Sequence, residues 1–332
     1  MGQPGSYYFP FKSERHPGTN VPGLEDGKNG DYLTDSLTDR AIQFIKDNKD
    51  KPFFINFWYY TVHTPIQPKK EKLQKYVEKA DRLGLSQKYK HGTPVWQSVS
   101  RKEQSSPAYA CMVESMDENI GRLLEHLKKQ DLENETLIIF CSDNGGLSTG
   151  SGPNMPTSCS PLQAGKAWLY EGGIRVPLII KMPGKTKPSL RIKEPVLSTD
   201  LYPTILDLLD LPLIPEQHRD GKSLKPLLAG KNKKIDREAL YFHFPHYHHI
   251  NSMGPSGAIR MGKYKLIEVF ESGKTELYNL ESDPGELHDL SKERQLIAGK
   301  MLKKLKSWQN ESGVDMAIPN PNYIQEKDYR KN

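Results

Sequence analysis

Three features of the sequence predict an α/β fold: a mostly parallel sheet flanked by helices, then a small C-terminal antiparallel sheet with one helix. Near-continuous apolar runs at residues 53–60, 136–141 and 176–181 have the length and pattern of strands buried on both faces. Segments of helical period separate them, and alternation of strand with helix predicts a doubly wound parallel sheet. Beyond Lys234 the pattern shortens into alternating stretches with turn signals, as antiparallel strands require. The expected division is a core at 1–234 and an α+β subdomain at 235–332.

The 332 residues leave room for one such domain and an appendage. Charged residues make up 27% and hydrophobic ones 36%, which suits a globular chain and not a disordered one. The formal net charge of +6 is too slight to imply a nucleic-acid partner. No run of about 18 apolar residues is present, so no membrane span is expected. Three cysteines cannot form a disulfide framework. Cys111 and Cys141 lie in apolar patterns and are expected to be buried thiols.

Residues 1–30 are rich in Gly, Pro and polar groups and read as a surface loop. Ser36-Leu-Thr-Asp39 resembles a capping box, and Leu37, Ala41, Ile42 and Ile45 follow on one helical face. Lys51-Pro52 ends that helix and the aromatic run 53–60 follows. Residues 66–105 are basic and irregular, as in a solvated insertion. Ser106-Pro107 supplies an N-cap and a proline at the first helical position. Tyr109, Met112, Val113, Met116, Ile120, Leu123, Leu124 and Leu127 then recur at helical spacing. A further helix is expected over 199–211. Residues 239–243, 264–270 and 276–280 read as short strands, the last two joined through Ser272-Gly273. Ile297, Met301, Leu305 and Trp308 mark the covering helix.

Four groups of residues could carry chemistry. Ser142-Asp143-Asn144-Gly145-Gly146 follows an apolar strand, where ligands of open parallel sheets gather. A carboxylate beside an amide oxygen suits calcium or magnesium, although Asp-Asn-Gly also favours a plain Asx turn. His63 leaves the aromatic strand at the same kind of position. It could bind an anion or protonate a leaving group, or it could be structural. Lys166 follows a glycine that permits close approach to the backbone, and its ammonium could hold an oxyanion, or simply be solvated. Arg175 can pair with Glu171 across the Gly172-Gly173 turn. His243, His246, His248 and His249 crowd one segment. Zinc or copper binding, a surface without a role, and a sugar subsite all remain open there, the last being preferred because imidazole and tyrosine hydrogen-bond and stack on sugars.

Taken in order, Ser-Asp-Asn-Gly-Gly, Gly-Lys-x-x-x-Tyr-Glu-Gly-Gly-Ile-Arg-Val-Pro, Thr-Asp-Leu-Tyr-Pro-Thr-Ile-Leu-Asp-Leu and Asp-Gly-Lys-Ser-Leu-x-Pro-Leu-Leu resemble the type I sulfatases. The late Glu-Leu-Tyr-Asn-Leu-Glu-Ser-Asp-Pro-Gly-Glu-Leu-His-Asp-Leu resembles their C-terminal hairpin. The resemblance extends from Asp31 onward. It implies an alkaline-phosphatase-like core, with Asp143 and Asn144 as Ca2+ ligands. Lys166 and His63 are implied to be catalytic residues contacting sulfate. The C-terminal subdomain would lie beside the active-site mouth, which makes His243, His246 and His248 a candidate substrate subsite. The substrate would be a sulfated carbohydrate or an aryl sulfate ester.

The pattern also departs from that family. Its nucleophile is a formylglycine made from the cysteine of Cys-x-Pro-x-Arg, and these 332 residues contain no such motif. Cys159-Ser-Pro-Leu-Gln163 has glutamine where arginine belongs, and it follows the Asp-Asn pair instead of preceding it. The family's first strand, with two aspartates, is not matched either. The expectation is an N-terminally truncated core whose single Ca2+ site is incomplete, poorly soluble and inactive by itself. Two alternatives stand beside a sulfatase: a non-catalytic binder of sulfated glycans, and a phosphodiesterase or phosphonate hydrolase of the same superfamily. Oligomeric state and compartment are not readable from the chain, although the resemblance suggests a periplasmic, secreted or lysosomal protein.

Overall fold

The computed structural model describes residues 4–12, 21–85, 91–150, 155–232, 234–318 and 320–323. It separates into two compact units. One contains residues 1–88 and 104–136, the other 89–103 and 137–332.

Among its described residues the smaller unit contains three helices. Helix α1 (Leu33–Asn48) buries Leu33, Ala41 and Ile45. It begins before the capping box because Tyr32 is already held. Tyr32 bridges Tyr8, and the Leu33 amide donates to Tyr7 O at 2.8 Å. Tyr7, Phe11 and Leu24, from the stretch read as a surface loop, are buried with Leu33 and Met112. Helix α2 (Lys70–Arg82) stands where an irregular insertion was expected. It buries only Ala80, and Lys72 and Lys75 pair with Glu118 and Glu114. No apolar stripe announces such a helix. Helix α3 (Pro107–Lys129) follows the expected course, with Ser106 Oγ accepting from the Tyr109 amide at 3.3 Å. Asn119 of α3 donates to Asp35 of α1 at 2.7 Å.

Residues 53–60 are extended but have no ladder partner among the described residues. Their side chains alternate. Phe53, Ile55, Phe57 and Tyr59 are half-buried, whereas Phe54 is 74% and Trp58 70% exposed. A strand with neither a neighbour nor a covering layer keeps one apolar face in water.

The larger unit opens with a hairpin of β1 (His91–Val95) and β2 (Ser98–Arg101), which pairs onward with β4 (Thr149–Gly150). Strand β3 (Ile138–Cys141) pairs with β5 (Leu178–Lys181), placing Ile138 opposite Lys181 and Cys141 opposite Leu178. This pairing is antiparallel, as is every other strand pair among the described residues. The parallel ladder expected from the strand–helix alternation is therefore not formed within them. Apolar content marks a strand as buried, but its direction depends on the strand that lies alongside. In a two-stranded ladder Cys141 is exposed, contrary to the expected buried thiol, whereas Cys111 is buried as expected.

Between these strands, the short helix α4 (Glu171–Ile174) carries the Gly172-Gly173 turn. Helices α5 (Leu201–Leu208) and α6 (Lys225–Leu228) pack through Leu208, Leu224 and Leu227. Strands β6 (Leu240–Phe244), β7 (Ser256–Met261), β8 (Tyr264–Val269) and β9 (Thr275–Asn279) form one antiparallel sheet in chain order. Three of these strands match the expected ones; β7 has no counterpart among them. Helix α7 (Gln295–Ser312) covers one face through Met301 and Leu305, against Ile259, Leu266 and Leu277. The other face buries Ala258, Ile267 and Val269 against Trp168, Leu169 and Tyr170. The sheet is thus covered on both sides, and Ala164, Trp168, Leu169 and Tyr170 belong to its core. That explains why the sheet groups by contact with 137–234 and not as a body cut at 234.

Candidate active site

The Asp143 loop is built backbone on backbone. The Gly145 amide donates to Gly173 O at 2.8 Å, and the Lys166 amide donates to Gly146 O at 2.9 Å. A Cβ at Gly145 would lie 1.8 Å from Gly172 O, and one at Gly165 would lie 2.3 Å from Gly146 O. Only glycine permits such approach. The loop of Asp143 and Asn144, the loop of Lys166 and the Glu171 turn are therefore stacked in direct contact.

Asp143 is exposed at the end of β3, and its Oδ1 accepts from the Asn144 amide at 2.9 Å. Asn144 Nδ2 donates to Gly145 O at 2.8 Å. Both bonds reach only the adjacent residue, and neither is the two-residue bond of an Asx turn. They leave Asp143 Oδ2 and Asn144 Oδ1 without a hydrogen-bond donor among the described residues. The two free oxygens fit a hard cation in kind, but calcium takes about six to eight oxygens. Among the described residues no group of three His, Cys, Asp or Glu side chains is placed to hold a metal.

The histidine segment divides. His246, His248 and His249 lie on the loop after β6, and His248 stacks on His249 with ring centroids 4.5 Å apart. The Ile250 amide approaches His248 Nδ1 at 3.4 Å, so in the neutral ring the proton sits on Nε2. Burial, and then the charges of His249, Lys166 and His246, hold His248 below the ordinary histidine value. Lys166 is thus an electrostatic neighbour of His248. Two bonds seat the histidine loop on the lysine loop: Asn251 Nδ2 donates to Ala167 O at 2.8 Å, and Trp168 Nε1 to Ile250 O at 3.1 Å. His243 is not brought to this group. Its ring packs on Phe270 at 5.4 Å, and its Nε2 lies 2.8 Å from Asp315 O, just past α7. Its strand neighbours Phe242 and Phe244 face the Trp168 side.

His63 belongs to the smaller unit. It is exposed in a turn, with Nδ1 3.0 Å from Thr64 O and its own carbonyl accepting from Tyr7 Oη at 3.0 Å. Cys159 is half-buried behind the Asp143 loop, with Sγ 3.7 Å from Gly146 O. Two residues of the site's surroundings escape a reading of the sequence. His249 stands in the histidine run without an assigned role, although it stacks on His248. Lys265 drew no assignment as a strand lysine, yet it is fully buried.

Hard oxygens beside an ammonium and a cluster of imidazoles suit a protein that holds a tetrahedral oxyanion near a divalent cation. Comparison with known proteins specifies the class. The family model described as Sulfatase matches residues 5–211, and that of N-sulphoglucosamine sulphohydrolase, C-terminal, matches 164–311. The chain belongs to the sulfatase family. It is 34% identical over 313 residues to a sulfatase of Formosa agariphila, covering 87% of this chain and 52% of that one. It is 34% identical over 228 residues to human steryl-sulfatase, covering 68% of this chain and 34% of that one. The crystal structure of Ps i-CgsB in complex with k-i-k-neocarrahexaose is similar at TM-score 0.69 and 28% identity, over 94% of this chain and 60% of that one. The structure of BT4656 with its substrate D-glucosamine-2-N,6-O-disulfate shares the fold at TM-score 0.64 and 20% identity, over 92% and 72% of the two chains. The chain thus spans about half the length of the Formosa relative. No helix among the described residues is long and apolar enough to cross a membrane.

Proposed function

We propose that this chain carries the Lys166 side of a site for hydrolysis of a sulfate ester on a carbohydrate. The observation that carries this reading is the seating of the His248 loop on the Lys166 loop, which is itself stacked on the loop of Asp143 and Asn144. The Lys166 ammonium holds a sulfate oxygen and neutralises charge as the ester bond breaks. His248, held below the ordinary histidine value by burial and its cationic neighbours, donates from Nε2 to a sugar hydroxyl, with His249 stacked on it. Asp143 Oδ2 and Asn144 Oδ1 are two of the oxygens that would hold Ca2+, which when bound would neutralise sulfate charge. His63, on the smaller unit, is a separate candidate for holding an anion. Support for a sugar comes from the N-sulphoglucosamine sulphohydrolase model over 164–311 and from the neocarrahexaose, an oligosaccharide, bound by Ps i-CgsB.

Neither Lys166 nor the histidines serve as a nucleophile at sulfur, and Cys-x-Pro-x-Arg does not occur in the chain. Binding of sulfated glycan without turnover is therefore the second reading for these 332 residues. One titration tests the shared part of both. A sulfated oligosaccharide is expected to bind the chain, its desulfated counterpart to bind far more weakly, and Lys166→Ala to lose about tenfold in affinity, as for a charge-assisted hydrogen bond. Equal binding of the two sugars would remove Lys166 from the site. Release of sulfate during the same titration would decide for hydrolysis over binding.

A further inference from the structure

Lys265, Glu171 and Glu286 form one buried charged cluster in the larger unit, and none is among the groups assigned above to a ligand. Lys265 on β8 is fully buried, with Nζ 2.8 Å from Glu286 Oε1 and 3.1 Å from Glu171 Oε1. Glu286 Oε2 accepts from the Glu171 amide at 2.6 Å. Arg175 and Arg260 each approach Glu171 Oε2 at 3.8 Å. A buried ion pair is weak as a source of stability, because desolvation of the charges offsets their attraction. Specifying one geometry is the better physical account of such a group.

The geometry it specifies is that of the stacked loops. Glu171 opens the turn whose Gly173 carbonyl receives the Gly145 amide, and whose Gly172 amide donates to Gln163 O at 2.8 Å. Gln163 closes the circuit. With its amide nitrogen turned toward two carbonyls, it donates to Glu286 O at 2.7 Å and Gly285 O at 3.1 Å. Two linked connections therefore run from the Lys265–Glu286 pair to the loops. One passes through Glu171 to the Asp143 loop; the other passes through Gln163 to the start of the Lys166 loop.

We propose that Lys265 is a positioning residue: with Glu171 and Glu286 it forms a buried ionic clasp through which the C-terminal sheet sets the geometry of the Asp143–Asn144 and Lys166 loops. The functional part of this statement rests on those loops being the oxyanion and metal site. The structural part does not.

The test uses the 332-residue chain with Lys265→Met and Glu286→Gln combined. Glu286→Gln removes one of the two carboxylates left opposite the missing ammonium, Glu171 keeping Arg175 and Arg260 at 3.8 Å, and the amide oxygen it introduces can still accept from the Glu171 amide. Amide hydrogen exchange is expected to speed up by about tenfold or more at residues 143–146 and 165–173, while β7 and β8 stay protected. Terbium, as a calcium probe, is expected to bind about tenfold more weakly, the usual order for loss of an outer support of a metal ligand. Glu286→Gln alone keeps the Lys265–Glu171 contact and is expected to show a smaller loss of the same kind. Leu305→Ala, in the core beneath α7, is the control, expected to lower the melting temperature without singling out the loops. Unchanged loop exchange in a folded double variant would overturn the clasp, and so would equal acceleration in Leu305→Ala. If the double variant does not fold, Glu286→Gln decides, and wild-type loop exchange in it would overturn the proposal. A wild-type chain that binds no terbium would instead count against the metal reading, with the exchange comparison still standing.

Discussion

At the scale of single residues, Lys166 and His248 report on each other. The Lys166 ammonium is one of the causes that hold His248 below the ordinary histidine value, after burial and beside His249. As pH falls, His248 is thus expected to take up its proton later than a free histidine. Lys166→Ala removes a like charge and is expected to move the His248 titration midpoint upward. Ring-proton NMR across pH 5 to 8 reads this directly. A midpoint unmoved by the substitution would separate the two side chains. Burial pushes the Glu286 carboxyl up, to about 7, against the pull of Lys265. Asp143, Asn144, Lys166 and His63 stood out as candidates in the sequence because each stands just past an apolar run or a glycine. The parting of His243 from His246 and His248 was not legible. A strand sends alternate side chains to opposite faces, and only the structure shows that β6 presents His243 toward the α7 side.

At the scale of elements, the glycines of the Asp143, Lys166 and Glu171 segments are one packing unit. Gly145→Ala would place a methyl 1.8 Å from Gly172 O, so the backbones must part. The expected cost is roughly 1–3 kcal/mol, as for overpacking of a tight interior. The variant should also unfold at lower temperature in calorimetry. Gly121, on the exposed side of α3, has nothing within 4 Å of an added Cβ, and Gly121→Ala is expected to be neutral or stabilising. Equal melting temperatures for the two variants would contradict the stacked-loop account. The pattern Gly-Gly before an apolar strand signalled a tight turn, but not which backbone lies against it. Helix α2 was illegible for a related reason: ion pairs to α3 hold it, and such contacts between distant segments have no period in the sequence.

At the scale of the molecule, the extended segment 53–60 keeps one aromatic face in water. A chain of these 332 residues is expected to bind a hydrophobic dye and to self-associate as concentration rises. Phe54→Thr with Trp58→Thr should reduce both, while circular dichroism keeps the signal of α1, α2 and α3. Dye binding at the wild-type level would mean that this face is not the apolar surface responsible.

The sequence by itself determined the α/β class, the course of α3 and α7, most strands of the C-terminal sheet and the chemical kind of each donor. Those features depend on local period, capping and residue type, all of which are carried by neighbouring residues. Tertiary structure alone decided that β3 pairs antiparallel with β5, that Ala164, Trp168, Leu169 and Tyr170 join the core of the C-terminal sheet, and that Lys265 lies between two carboxylates. Ladder direction and buried ion pairing depend on which distant segment comes alongside, and a strand's own residues do not encode its neighbour.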